Sequence, residues 1–182
     1  IKTPRQAIQH GIAFLTEDRK GQGLVLAQSI RTNLILANMK GFSSGLFLNE
    51  KRIEDAGQKN IASLRIKTPS IDEIVGQLSG GNQQKVVIGK WVNTDADIFI
   101  FDEPTRGIDV GAKVEVYNVM NSLVKQGKCV IMVSSEMPEI LGMSDRVIVM
   151  RGGEVMAEVD RDSEHFNQED LMKAAWGGKL DD

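Results

Sequence analysis

Leu78-Ser79-Gly80-Gly81-Asn82-Gln83-Gln84-Lys85 and, a little further on, Phe99-Ile100-Phe101-Asp102-Glu103-Pro104-Thr105 are the stretches on which the fold turns. The first sets a hydroxyl residue and two glycines at the start of a predicted helix, Gly80 to Trp91. Unobstructed amides and the positive end of the helix dipole there suit an anionic phosphate. The second is an apolar strand, Ile98 to Phe101, that ends in two adjacent carboxylates. Carboxylates near a core are costly unless paired, hydrated or metal-bound, so Asp102 and Glu103 point to a magnesium ion and a polarised water. Each stretch also has a bland reading: Ser79 as a simple N-cap, and Asp102-Glu103 as a solvated strand end. The length of the first string, and Gly107-Ile108-Asp109 after the second, weigh against both.

Outward from these stretches, strand and helix signals alternate, which argues an α/β domain. Ile12–Leu15 reads as a buried strand, and the polar run Glu17 to Gly23 reads as a loop. Between Leu24 and Gln77 the strand signal fades. Helices are expected over Ile30–Met39 and Lys51–Leu64, separated by a loop at Gly41–Gly45, and Thr68-Pro69 forms a break. This segment reads as a helical insertion. A helix over Ala112–Lys125 sets Val116, Met120, Leu123 and Val124 at the spacing of one buried face, and Cys129–Val133 is continuously apolar, as a parallel strand covered on both faces should be. Cys129 is accordingly expected to be buried. A short helix over Glu136–Leu141, a hairpin turning at Arg151-Gly152-Gly153 and a helix over Gln168–Ala175 complete the reading.

Composition restricts the partners. The 182 residues are 41% hydrophobic and 26% charged, with a net charge of −3, which is ordinary for a globular domain and gives no basic footprint for nucleic acid. The single cysteine rules out an internal disulfide framework. No apolar run approaches the roughly 20 residues that span a bilayer, so membrane association is expected to be peripheral. The chain opens at Ile1 in the polar run Lys2-Thr3-Pro4-Arg5-Gln6, which reads as the internal start of a piece of a longer protein.

Leu78–Lys85 resembles the signature motif of ATP-binding-cassette (ABC) ATPases. Asp102 and Glu103 resemble the end of their Walker B strand, and Gly107-Ile108-Asp109 their D-loop. More narrowly, Gly81–Lys85, Glu103–Lys113 and Ser134-Ser135-Glu136-Met137-Pro138-Glu139 resemble the second cassette of monosaccharide importers of the ribose, xylose and galactose type. The resemblance runs from Ile1 to about Ala175. It implies a partial P-loop NTPase-like α/β sheet with flanking helices, in which residues 24–77 are a helical signalling subdomain and 1–23 and 78–182 belong to the RecA-like core. It implies ATP and Mg2+ as cofactors: Ser79, Gly80, Gly81, Asn82 and Gln83 contact nucleotide held by an opposing cassette, Asp109 couples the two sites, Asp102 and Glu17 lie on the metal side, and Glu103 polarises the attacking water. Its implied partners are a second cassette, transmembrane permease subunits and, indirectly, a sugar-binding protein, at the cytoplasmic face of the membrane. DNA- and ribosome-acting relatives carry heptad coiled coils or basic extensions, and neither is present in this sequence.

Two departures qualify the implied activity. Most cassettes place a histidine after the strand that ends at Val133-Ser134, and Ser135 stands there. A hydroxyl offers one hydrogen bond and no imidazolium charge. Second, no segment fits the phosphate loop Gly-x-x-x-x-Gly-Lys-Ser/Thr. The expectation is therefore an ATP-hydrolysing cassette of a sugar importer whose isolated chain is inactive and prone to self-association. The alternative is a nucleotide-binding coupling module with little hydrolysis at its own site.

Overall fold

A computed structural model describes residues 1–180. They form two compact units, one from Ile1 to Val133 and one beginning at Ser134. Residues 24–77, expected as a helical insertion, are part of the first unit.

A parallel three-stranded sheet of order β1 (Ile12–Leu15), β4 (Ile98–Asp102), β5 (Cys129–Val133) organises the first unit, with Leu15 beside Phe101 and Phe101 beside Met132. Two helices pack on it: α4 (Gly80–Val92) against β1 and α5 (Val110–Lys125) against β5. The covered face holds Ala13, Leu15, Phe99 and Phe101, all buried, with Val86, Val87, Val116 and Met120 above them. Burying such side chains contributes about 1.5–3 kcal/mol each.

The opposite face corrects the reading of β5. Phe14, Ile131 and Val133 are exposed at 46%, 47% and 51%, and Cys129 is exposed rather than buried. The register sets Cys129, Ile131 and Val133 on one face of a strand whose partner among the described residues is β4. A continuous apolar run therefore shows alternating burial, because a strand is covered only where another layer meets its side chains.

Residues 24–77 are held by an apolar cluster of Ile35, Phe42 and Ile53 together with side-chain hydrogen bonds. They comprise α2 (Ile30–Ile35), a 3₁₀ turn at Met39–Phe42, short strands β2 (Ser43–Ser44) and β3 (Phe47–Leu48), and α3 (Glu50–Ser63). The first of these helices stops four residues before the expected Met39. Leu36 is its C-cap, and Asn38 caps the 3₁₀ turn that follows, accepting from the Gly41 amide at 3.1 Å and donating to the Asn93 carbonyl at 2.8 Å. The expected Gly41–Gly45 loop contains β2, paired with β3. On α3 the buried Ile53, Gly57 and Asn60 share one face, and Asn60 donates to Asn93, the C-cap of the helix over Gly80–Val92, at 2.9 Å. The N-terminal run, read only as polar, begins α1 (Pro4–Gln9), capped by the Thr3 side chain.

Arg31 ties the insertion together. Its guanidinium meets Asp72 at 2.8 Å, Glu50 at 3.0 Å and Glu54 at 2.6 Å, and the Asp72 hydrogen bond foremost raises its already high pKa. Exposed pairs count for little singly, but one arginine on three carboxylates forms a network. Arg31→Met is expected to lower stability by about 1–2 kcal/mol in dilute buffer. In urea unfolding that loss should shrink in high salt, which screens exposed charges. A loss unchanged by salt would assign it to packing.

In the second unit, α6 (Met137–Met143), strands β6 (Arg146–Arg151) and β7 (Glu154–Asp160) and α7 (Gln168–Ala175) enclose Val147, Val149, Val159, Leu171 and Ala174. The strands pair antiparallel as expected. Gly152 and Gly153 hold φ of +59° and +87°, the left-handed geometry that two-residue hairpin turns need. Asn167 caps α7, and Asp170 lies 2.9 Å from His165 Nδ1. Those hydrogen bonds, His165 first and Asn167 next, hold the Asp170 carboxyl below its usual pKa of 3.8. A depressed folded pKa means stability present above the unfolded value and lost as pH falls through the folded one. Asp170→Asn should therefore flatten the acid limb of unfolding below about pH 4, and an unaltered limb would remove the pair from the account.

Candidate phosphate-binding site between two helix N-termini

Two helices begin side by side in the first unit. Helix α4 starts after Ser79, whose side chain makes no capping bond to the first-turn amides. Its Oγ instead accepts from Asn82 Nδ2 at 3.0 Å, and Asn82 Oδ1 accepts from the Lys67 amide at 2.9 Å. The first turn of α4 thus keeps its amides for another acceptor. Asp109 begins α5 as its N-cap, with Oδ1 accepting from the Ala112 amide at 2.9 Å. The helix accordingly starts two residues earlier than expected, and Val124, expected on its buried face, is exposed because that face at the last turn is held by Leu123.

Close approach of the two ends requires a glycine. A Cβ on Gly81 would lie 2.6 Å from Ala112 Cβ, a distance that no rotamer change could relieve. Between the ends lies a concavity of about 190 Å³ lined by Lys67, Ser79, Gly81, Asn82, Lys85, Asp109, Gly111, Ala112 and Glu115. The N-terminal ends of α4 and α5 border it, and such ends attract anions; Asp109 caps the second, and Lys85 and Lys67 stand with Asp109 and Glu115 in the lining. A larger groove of about 270 Å³, lined by Ser63, Arg65, Asn118, Ser122 and Gln126 among others, shares only Glu115 with it and lacks both helix ends.

Four of the expected contact residues, Ser79, Gly81, Asn82 and Asp109, line the concavity. Gly80 stands beside them at the first position of α4. Gln83 stands apart from them. It is buried, and its Nε2 donates to the Val75 carbonyl at 3.2 Å, so its side chain braces the turn at Val75–Gln77. Lys85 carried no expected role, yet its side chain is 2% exposed. It forms an ion pair with Glu115 and donates to the Arg65 carbonyl at 2.8 Å.

The carboxylates lie at the end of β4. Asp102 pairs in register with Val133, and the Glu103 amide donates to the Val133 carbonyl at 2.9 Å. Glu103 has a φ of +46°, a left-handed geometry that is costly for a side-chain-bearing residue and collects at functional positions. Both residues are half-buried, and among the described residues neither carboxylate has an ion-pair or hydrogen-bond partner. That leaves them available to a cation or to water. Among the described residues no cluster of three metal-binding side chains exists. Magnesium does not need one, since it keeps several waters and takes one or two carboxylates together with substrate phosphates.

Glu17, expected on the metal side, is paired with Arg106. Ser135 is exposed at the start of the second unit, next to Ser134, whose Oγ donates to Glu139 at 2.6 Å. His10 is exposed, and His165 is committed to Asp170. Arg19, Arg106, Lys67 and Glu115 escaped sequence reading. Their partners lie far along the chain, and neither spacing nor periodicity signals such contacts.

Residues 2–106 match the ABC transporter family. The chain belongs to that family. It is 51% identical over 179 residues to a xylose import ATP-binding protein of Thermoanaerobacter pseudethanolicus, covering 98% of this chain and 35% of the relative. With a ribose import ATP-binding protein of Geobacillus kaustophilus it shares 50% identity over 178 residues, covering 98% and 36%. The chain thus spans about a third of the length of the curated relatives it matches. Among solved structures, a dimeric ATP-binding cassette bound to ADP and Pi superposes with a TM-score of 0.71 at 20% identity, covering 85% of this chain and 65% of that one. A nucleotide-free cassette from an ABC transporter superposes at 0.73 and 20% identity, covering 95% and 68%. These likenesses establish the α/β cassette fold. No helix among the described residues is long and apolar enough to cross a membrane.

Proposed function

We propose that this chain is part of the ATP-hydrolysing subunit of a monosaccharide importer. Two half-sites in it would each be completed by residues outside the described set. The observation that carries this reading is the pair of abutting helix N-termini at one concavity, where Ser79 leaves the first-turn amides of α4 uncapped. In a cassette dimer, Ser79, Gly80, Gly81 and Asn82 receive the terminal phosphate of nucleotide bound to the opposing cassette, and Asp109 lies at the shared boundary. Asp102 holds magnesium, partly through water, and the metal neutralises charge that develops on the transferred phosphoryl group. Glu103 orients and polarises the attacking water. Positioning and electrostatic stabilisation are most of what such a reaction needs. The assembly sits peripherally on the cytoplasmic face of the membrane against permease subunits fed by a sugar-binding protein.

Ser135 favours a second reading, in which this cassette binds nucleotide and moves the permease while a partner site does most of the turnover. Mutating Glu103 in the reconstituted transporter separates the two, since only the first reading makes turnover depend on that carboxylate.

No segment of the sequence fits the phosphate loop, so the chain alone is expected to bind ATP weakly and to show no appreciable ATPase activity. Titration calorimetry giving a low-micromolar Kd would overturn this. The exposed apolar face of Phe14, Ile131 and Val133 should also drive self-association. Sedimentation at high concentration checks it, and a strict monomer would refute it.

A further inference from the structure

We propose that Arg19 is a positioning residue that locks the two helix N-termini of the phosphate site to the loop following β1. The inference rests on the function proposed above. Arg19 Nη1 donates to the Arg106 carbonyl at 2.9 Å and Nη2 to the Gly107 carbonyl at 3.2 Å. Its Nε is buried without a partner, so the guanidinium is held by its two terminal nitrogens. The same turn is gripped a second time, by the ion pair from Arg106 back to Glu17. At the far end of the loop, the buried Lys90 of α4 donates to the Gly23 carbonyl at 2.6 Å.

The turn at 105–109 is anchored at its start by the buried Thr105, and its own backbone bonds are Ile108 to Thr105 at 3.4 Å and Arg106 to Glu103 at 3.2 Å. Two charge-assisted bonds from one planar group fix the stretch that follows, at Arg106 and Gly107. Asp109 follows directly and caps α5, so that turn decides where α5 begins and how its amides meet those of α4.

Gly80 provides the second observation. A Cβ there would lie 2.8 Å from Arg19 Nη2 and 3.3 Å from the Gly107 carbonyl oxygen. The bare α-carbon is what lets the guanidinium sit between the start of α4 and the 106–107 turn. Lysine would not substitute fully, because a point ammonium cannot reproduce a two-pronged contact.

Amide hydrogen exchange on the full chain tests this. Arg19→Ala should speed exchange at Ile108–Ala112 on the order of tenfold or more, while Val87–Lys90 keep their rates. Arg19→Lys should recover part of the protection. Gly80→Ala, which displaces the guanidinium without removing it, should show the same pattern and keeps the test valid if Arg19→Ala fails to fold. In the full-length protein Arg19→Ala should lower kcat by about tenfold to a hundredfold with KM for ATP little changed. Exchange at 108–112 within about twofold of the parent in these variants would overturn the proposal. Absence of ATP turnover in the unmutated full-length protein would instead overturn the proposed function and leave the exchange result standing.

Discussion

Glu103→Gln lowers ATP turnover of the full-length protein by roughly 100-fold to 10,000-fold, the usual contribution of a group that handles a proton in the transition state. The amide keeps the side chain's size but neither polarises water nor takes up its proton. Nucleotide affinity should change little if, as proposed, the carboxylate acts on the attacking water rather than on the bound ground state. A decrease under about threefold would favour the coupling-module reading suggested by Ser135. The strained backbone adds a second readout. Glu103 holds a φ of +46°, where a side chain costs about 1–2 kcal/mol and glycine nothing. Glu103→Gly is therefore expected to abolish turnover and yet stabilise the chain by about 1 kcal/mol in urea unfolding. Glu103→Gln retains the Cβ and should leave stability unchanged. A destabilised glycine variant would mean that the left-handed geometry is not strained there.

Lys85→Met costs about 3 kcal/mol of stability, the lower end of what breaking a buried pair costs. Lys85 is 2% exposed and supplies Glu115 with its counter-charge and the Arg65 carbonyl with a donor at 2.8 Å. Methionine fills nearly the same volume, so the loss reports electrostatics and hydrogen bonding rather than a cavity. The lower end applies because Glu115 is 32% exposed and recovers some hydration once its partner is gone. Adding Glu115→Gln to the Lys85→Met background should regain part of the loss, a positive coupling visible in a double-mutant cycle. Additive effects would show that the two side chains do not stabilise each other. A single-variant loss under about 0.5 kcal/mol would show that the pair does not hold α4 to α5.

Much of the site was legible because it is local. Ser79-Gly80-Gly81 at a helix start and Asp102-Glu103 at a strand end express their chemistry within a few residues, where capping, glycine geometry and strand periodicity act. The same holds for α7, found at the expected Gln168–Ala175, and for the hairpin of β6 and β7, although Arg151, expected in its turn, ends β6. Long apolar runs were read less well. Cys129–Val133 says that a strand is apolar on both sides, but not how many layers meet it, and one of its faces is exposed.

By itself, the sequence determined an α/β domain with a glycine-rich helix start and a paired carboxylate, since those features depend on neighbours in the chain, and its resemblance to ABC ATPases implied the cassette. Tertiary structure alone decided how they are used. It turned Gln83 inward to the Val75 carbonyl, paired Glu17 with Arg106, buried Lys85 against Glu115, and set Arg19 across the turn before Asp109. Each of these is a contact between segments far apart in sequence, or a choice of which face of a helix meets the core. Charge and hydrogen-bond partners across such separations are fixed by packing, and no residue type announces its partner in advance.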